Sequence, residues 1–182
     1  MVAFPKKYAE LAARTRVSVG FVVAAAFLLL ARPTLTSLAT GAAIALVGLS
    51  IRAWAAGHLR KNQKLAVSGP YAHVRNPLYV GTLLTGIGFA VAGAHLGIGL
   101  AMVAFFLLYY LPVVGEEESH LRKILPGYDE YARRVPRLVP SLMPRYASEV
   151  SFSREQYLKN QEYRAFVGFL ILMAILVAKI YL

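Results

Sequence analysis

Cysteine is absent from the 182 residues, which removes disulfides, thiolate metal sites and cysteine nucleophiles. Acidic residues are scarce, nine against 20 Lys and Arg, and charges of both signs make up only 16% of the chain. Soluble domains carry roughly 25%, so an ordinary water-soluble domain is excluded. The histidines His58, His95 and His120 are too scattered to propose a metal site. What is present is apolar: 58% hydrophobic residues and a mean hydropathy of +0.54. The chain reads as an all-α integral membrane protein with one membrane domain, residues 1–182.

Five apolar runs, at residues 17–31, 35–56, 78–94, 96–114 and 166–182, predict about five transmembrane helices. The first is short for a span and must borrow from its flanks, with Arg16 and Arg32 snorkelling outward. Gly93-Ala94-His95 makes a tight hairpin of the third and fourth. Arg52, near the end of the second run, is placed close to an interface or facing protein. With the N-terminus inside, 18 of the 20 Lys and Arg fall on the inner side, leaving Arg32 and Lys179 outside. The positive-inside rule then puts residues 68–81 and 115–163 in the cytoplasm and the C-terminus outside. A basic start before a short apolar run also resembles a signal peptide, with Ser37-Leu38-Ala39 as a cleavage site, but cleavage would remove a helix whose topology agrees with the rest. The net charge of +11 follows from this topology and favours anionic lipid headgroups rather than nucleic acid.

Ser68-Gly69-Pro70-Tyr71-Ala72-His73-Val74-Arg75-Asn76-Pro77 is a polar, basic and aromatic entrance to the third apolar run. Asn76-Pro77 reads as a helix start, Asn as N-cap and Pro at the first helical position. The positive end of that helix makes a site for an anionic or polar group. Within the helix, Gly81, Thr85, Gly88 and Ala92 share one face of small residues suited to close helix packing. Gly86-Ile87-Gly88 also suits a flat ligand approaching the backbone. Glu116-Glu117-Glu118 holds a third of all the acidic residues, at the end of the fourth helix. Glu118 is expected to pair with Arg122 on a solvated surface, while Glu116 or Glu117 turns inward. Ile124, Tyr128, Tyr131, Val135 and Leu138 recur at spacings of three and four. They predict an amphipathic cytoplasmic helix whose tyrosines pack with wet tips.

Together, Gly69-Pro70-Tyr71…Val74-Arg75-Asn76-Pro77-Leu78-Tyr79-Val80-Gly81 and Glu116-Glu117-Glu118…Leu121…Gly127-Tyr128…Tyr131…Val135-Pro136-Arg137…Pro140 resemble the isoprenylcysteine carboxyl methyltransferase and phospholipid methyltransferase superfamily over residues 45–142. The resemblance implies a multi-helix membrane fold using S-adenosylmethionine (SAM). Its cytoplasmic pocket is covered by the segment after the fourth helix, and lipophilic substrates enter from the bilayer. It leaves residues 143–182 as an amphipathic linker and a last transmembrane helix. It further implies cofactor contacts at Leu65, Val67, Gly69, Tyr71, Asn76, Pro77, Tyr79, Gly81, Gly86, Gly88, Glu116 and Glu117, and no metal.

One departure stands out: Asn76 occupies the position where relatives carry a histidine. Asn cannot shuttle a proton near neutral pH, so a prenylcysteine substrate does not transfer. Arg75, Arg134 or Arg137 would orient an anionic acceptor, with Tyr79 beside them. For an amine acceptor, Glu117, Tyr79 or His73 are the candidate bases. The leading expectation is a SAM-dependent methyltransferase acting on a lipophilic or membrane-associated acceptor. The alternatives are an NADPH-dependent membrane reductase of related architecture and a non-catalytic lipid-binding membrane protein.

Overall fold

The computed structural model describes residues 4–146 and 150–182. Among these the regular structure is entirely helical. In chain order the helices are α1 (Lys6–Leu30), α2 (Leu35–His58), a 3₁₀ turn (Gly69–Ala72), α3 (Pro77–Ala92), α4 (Leu96–Phe105), α5 (Leu111–Ile124), α6 (Tyr128–Arg134), α7 (Arg154–Lys159) and α8 (Tyr163–Tyr181). A wide π turn, Phe106–Tyr110, joins α4 to α5, so Leu96–Ile124 runs as one long helix. Four helices are long and apolar enough to cross a membrane, and α3 is a shorter apolar helix. The fourfold count plus α3 is close to the five runs in the sequence. The short first run gains its length by extending back to Lys6.

The π turn has a chemical cause. Pro112 has no N–H to donate to the Leu108 carbonyl one turn back, and its ring crowds that carbonyl. The ladder widens just before it, and the Tyr8 hydroxyl of α1 donates to Leu108 O at 2.7 Å instead.

Helices α2 and α3 pack backbone to backbone. Gly41, Ala45, Gly48 and Arg52 on α2 repeat the spacing of Gly81, Thr85, Gly88 and Ala92 on α3, and the two rows meet antiparallel. A Cβ on Gly88 would lie 2.5 Å from Ala45 N and 2.6 Å from Gly41 O, and one on Gly48 would lie 2.6 Å from Gly81 O. The small-residue face therefore serves helix packing. Phe27, Leu49, Ile98, Phe169, Met173 and Leu176 close the core from α1, α2, α4 and α8. Outward-facing Phe21, Leu29, Leu96 and Leu170 are exposed, as a lipid-facing surface requires.

The two ends of the bundle differ. At one end Arg32 N donates to Gly93 O at 2.8 Å, Lys179 Nζ donates to Leu28 O at 2.6 Å, and Thr34 and Ser37 form a capping box on α2. His95 caps α4 there, within the tight hairpin the sequence predicts. The other end carries both polar motifs. There the segment beyond residue 150 ties down the end of α2: Ser153 N donates to Gly57 O at 3.0 Å, and Asn160 Nδ2 donates to Ala56 O and Leu59 O at 2.8 and 2.9 Å. These carbonyls are the ones a helix end leaves unpaired. Residues 147–149 of the predicted linker lie outside the described residues.

The amphipathic helix expected over residues 124–138 is a single short helix, α6. Gly127, at φ 79°, breaks the chain after α5, and Val135 is extended ahead of Pro136. Tyr128, Tyr131 and Val135 do face inward, packing with Leu65, Val67 and Leu121. The expected wet tip of Tyr131 is instead buried, donating to Tyr71 O at 2.8 Å.

Candidate cofactor and substrate site

Backbone hydrogen bonds lay residues 135–145 along residues 71–75. Arg75 N donates to Pro136 O at 2.8 Å, Ser141 N to His73 O at 2.9 Å and Arg145 N to Ala72 O at 2.7 Å. His73 Nδ1 lies 2.9 Å from Ser141 O, so this ring fastens the loop. The two motifs of the sequence are thereby one unit.

A charge cluster lies at their junction. Glu118, buried and midway along α5, accepts from Asn76 Nδ2 at 2.8 Å and lies 3.5 Å from Arg75 Nη1 and 3.3 Å from Arg137 Nε. Asn76 Nδ2 also reaches Arg137 O at 3.2 Å. Two sequence expectations are corrected here. Glu118 does not pair with Arg122 on the surface, because its side of α5 faces the 71–76 loop; Arg122 pairs with Asp129 instead. Asn76 sits at the N-cap position of α3, but its side chain makes no capping bond and is spent on Glu118.

Glu117, one residue earlier and so about 100° around the helix, points elsewhere. It accepts from the Tyr79 hydroxyl at 2.7 Å, which Arg16 of α1 also approaches. Arg16 therefore turns inward rather than snorkelling. Glu116 makes no such contact among the described residues.

Beside the cluster lies a cavity of about 130 Å³ lined by Leu65, Tyr71, Arg75, Glu117, Tyr128 and Tyr131, and also by Leu59, Arg60, Lys61, Asn62 and Lys64. Arg75 Nε and Arg137 Nε are buried without a hydrogen bond. Two guanidiniums share one carboxylate, so the cluster carries a net positive charge beside this cavity. Burial, and then the Glu118 carboxylate, push the Tyr128 hydroxyl up to about 12. Burial likewise raises Tyr131 and Tyr71, so all three hydroxyls stay protonated near neutral pH.

The remaining predicted residues divide clearly. Val67 packs beneath the tyrosines, Pro77 starts α3 and is buried, and Gly69 holds φ +55° against His58. Gly81 and Gly88 face α2, away from the small cavity. A Cβ on Gly86 would meet nothing within 4 Å, and this residue lines a second, larger space. Arg134 is the clearest departure from expectation. It is exposed, bonded to Glu130 at 2.6 Å and stacked over Tyr146, because the inward side of α6 is taken by Tyr128 and Tyr131.

The larger space, about 640 Å³, lies among α1, α2, α3, α4 and α8 and is almost wholly apolar. At its polar end stand Arg52 and Thr82. Arg52 Nε lies 2.5 Å from Glu162 Oε1, and its Nη1 bonds Thr82 and Leu78 O. Sequence reasoning missed this pair. The available signal was an arginine six residues inside an apolar helix, which demands a buried partner. Among the described residues no three His, Asp or Glu side chains gather as a metal set.

A model of the phospholipid methyltransferase family matches residues 21–127, more than half of the chain. The chain belongs to that family, within the isoprenylcysteine carboxyl methyltransferase-like superfamily. Two relatives are similar to it over 104 residues, 56% of this chain and 47% of each of theirs. The cobalt-zinc-cadmium resistance protein CzcN of Cupriavidus metallidurans is 38% identical there, and the nickel-cobalt-cadmium resistance protein NccN of Alcaligenes xylosoxydans xylosoxydans 33%. The chain spans about half the length of the curated relatives it matches. No solved structure matches it.

Proposed function

We propose that this protein is a SAM-dependent methyltransferase acting on a lipophilic acceptor, with the small cavity holding the cofactor. The observation that carries the reading is the net-positive Arg75–Glu118–Arg137 cluster, with its unpaired Arg75 Nε, next to a cavity also lined by Glu117. SAM carries both complements. Its carboxylate suits Arg75, its ammonium and ribose hydroxyls suit Glu117, and its adenine suits the wall of Leu65, Tyr71 and Tyr128. The cavity is below the ~300 Å³ of sites for whole ligands, so binding requires residues 59–64 to move outward. The cofactor supplies an already activated methyl group. The chain's own work is to position the acceptor and exclude water. The end of the bundle that carries both motifs is assigned to the cytoplasm by its basic residues.

Asn76 is committed to Glu118 and to Arg137 O, so it holds the cluster rather than moving a proton. Glu118 is held by two arginines, and Glu117 by Tyr79. Metal resistance in the names of CzcN and NccN belongs to those proteins; for this chain the proposal is chemistry on a membrane component.

The test is incubation of membranes containing the protein with methyl-labelled SAM. Label is expected in a lipid fraction, and a protein-independent background alone would count against the reading. Glu117→Ala should weaken S-adenosylhomocysteine (SAH) binding tenfold or more, roughly 1.4 kcal/mol by calorimetry; unchanged affinity would remove Glu117 from the site. Arg134→Ala, by contrast, is expected to leave SAH affinity unchanged and to shift stability by less than ~1 kcal/mol in thermal unfolding.

A further inference from the structure

Arg52 is placed unusually for a basic residue. It lies six residues before the end of α2, about 9 Å inside the helix. It is the one Lys, Arg, Asp or Glu among the residues lining the 640 Å³ cavity, whose walls include Phe27, Phe89 and Leu172 and which opens to the apolar outer surface past exposed Leu96 and Leu100. Ionisable groups at such depth are costly, and they are retained where they bind or move something.

The guanidinium is fixed but not saturated. Glu162 holds Nε, and Thr82 and Leu78 O hold Nη1. Nη2 has no hydrogen-bond partner among the described residues, and Arg52 is one of the residues lining the cavity. Glu162 does not itself line the cavity, so an occupant meets the donor edge of Arg52, with the charge-balancing carboxylate on its far side. Arg is suited to this, since its planar fork stays charged and meets oxyanions in a fixed geometry. The opposite end of the space, at His95 and Leu96, offers no charged group, and His95 is occupied with capping Ile98 N.

The two cavities adjoin here. Leu78 lines the small one, and its carbonyl accepts from Arg52 and from Thr82, which line the large one. A single turn of α3 thus separates Arg52 from the Arg75 and Glu117 cavity. Glu162 lies beyond the residues the family model matches, so a residue of the C-terminal segment fixes the arginine at this end of the space.

We propose that Arg52, held in place by Glu162, is the headgroup anchor of the large cavity and selects single-chain amphiphiles with an acidic oxygen headgroup, carboxylate or phosphate. As a statement about the acceptor this rests on the methyltransferase reading; as a statement about binding it stands on the cavity alone. The chain of the amphiphile lies along the apolar walls, and the anionic head meets the free edge of Arg52. Glu162 acts through Arg52 and is a positioning residue.

The test is calorimetry on the full-length protein in a neutral detergent, with oleate, lysophosphatidate, oleyl alcohol and acetate as probes. Oleate or lysophosphatidate should bind at least tenfold more tightly than oleyl alcohol, and acetate should not bind. The stronger of the two acids identifies which headgroup is preferred. Arg52→Gln should abolish or reverse the preference for acid, since it leaves the Glu162 carboxylate unpaired. Should that variant not fold, Glu162→Gln, which keeps the guanidinium, should retain or strengthen the preference for acid. Equal binding of oleyl alcohol and both acids to the wild type would overturn the proposal. So would an undiminished preference in Arg52→Gln, or loss of the preference in a folded Glu162→Gln. SAH is titrated in parallel: its failure to bind the wild type would sink the methyltransferase reading and leave the anchor judged by the amphiphiles alone.

Discussion

Glu118→Ala is expected to destabilise the protein by about 3–5 kcal/mol, the range for removing one partner of a buried charge pair. Glu118 is buried and is the only carboxylate shared by Arg75 and Arg137 among the described residues. Its loss leaves two guanidiniums facing each other in low dielectric, and strips Asn76 Nδ2 of an acceptor. Glu118→Gln should recover part of the loss, since an amide oxygen can still accept from Asn76, but not the charge. Adding Arg137→Leu to Glu118→Gln should recover more, because the residual like-charge repulsion goes. Unfolding in detergent, followed by helicity, reads all three. A loss below ~1 kcal/mol for Glu118→Ala would mean the cluster is wetter and looser than its geometry indicates.

The second large effect is expected from Gly88→Leu. A Cβ there falls 2.5 Å from Ala45 N and 2.6 Å from Gly41 O, both backbone atoms that cannot swing away. Overpacking ordinarily costs ~1–3 kcal/mol. A clash with backbone across the closest helix pair should reach the top of that range or prevent α2 and α3 from docking. Gly86→Leu is the matched control. Nothing lies within 4 Å of that position, so its effect on stability should stay within about 0.5 kcal/mol. Size-exclusion profiles and melting temperatures of the two variants in the same detergent make the comparison. Similar behaviour of both would contradict the packing assigned to Gly88.

The contrast between Gly86 and Gly88 shows what was legible in the sequence. The period of the small residues predicts the α3 face correctly, because close packing in lipid depends on size alone. It does not say which partner the face meets. That partner is the row Gly41, Ala45, Gly48 on α2, visible in the sequence at the same spacing. The two polar motifs likewise show in their residue types, and the fold binds them together through Arg75 N, Tyr131 and Asn76. The roles within Glu116-Glu117-Glu118 were not legible, since a 100° rotation per residue sends Glu117 to Tyr79 and Glu118 to Arg75. Arg134 and Arg137 were equivalent by composition. Only the early end of α6 at Val135 separates them, leaving the first in solvent and the second in the cluster. Arg52 and Glu162 are 110 residues apart, and local pattern carries no information about such a pair.

The proposed function rests above all on the cavity beside Arg75 and Glu117 being built for SAM. Its most direct test is calorimetric titration of the detergent-solubilised wild-type protein with SAH and, separately, with NADPH. The proposed site predicts micromolar binding of SAH and none of NADPH. Binding of NADPH alone would contradict it in favour of a membrane reductase, and binding of neither would leave a lipid-binding protein on a methyltransferase scaffold.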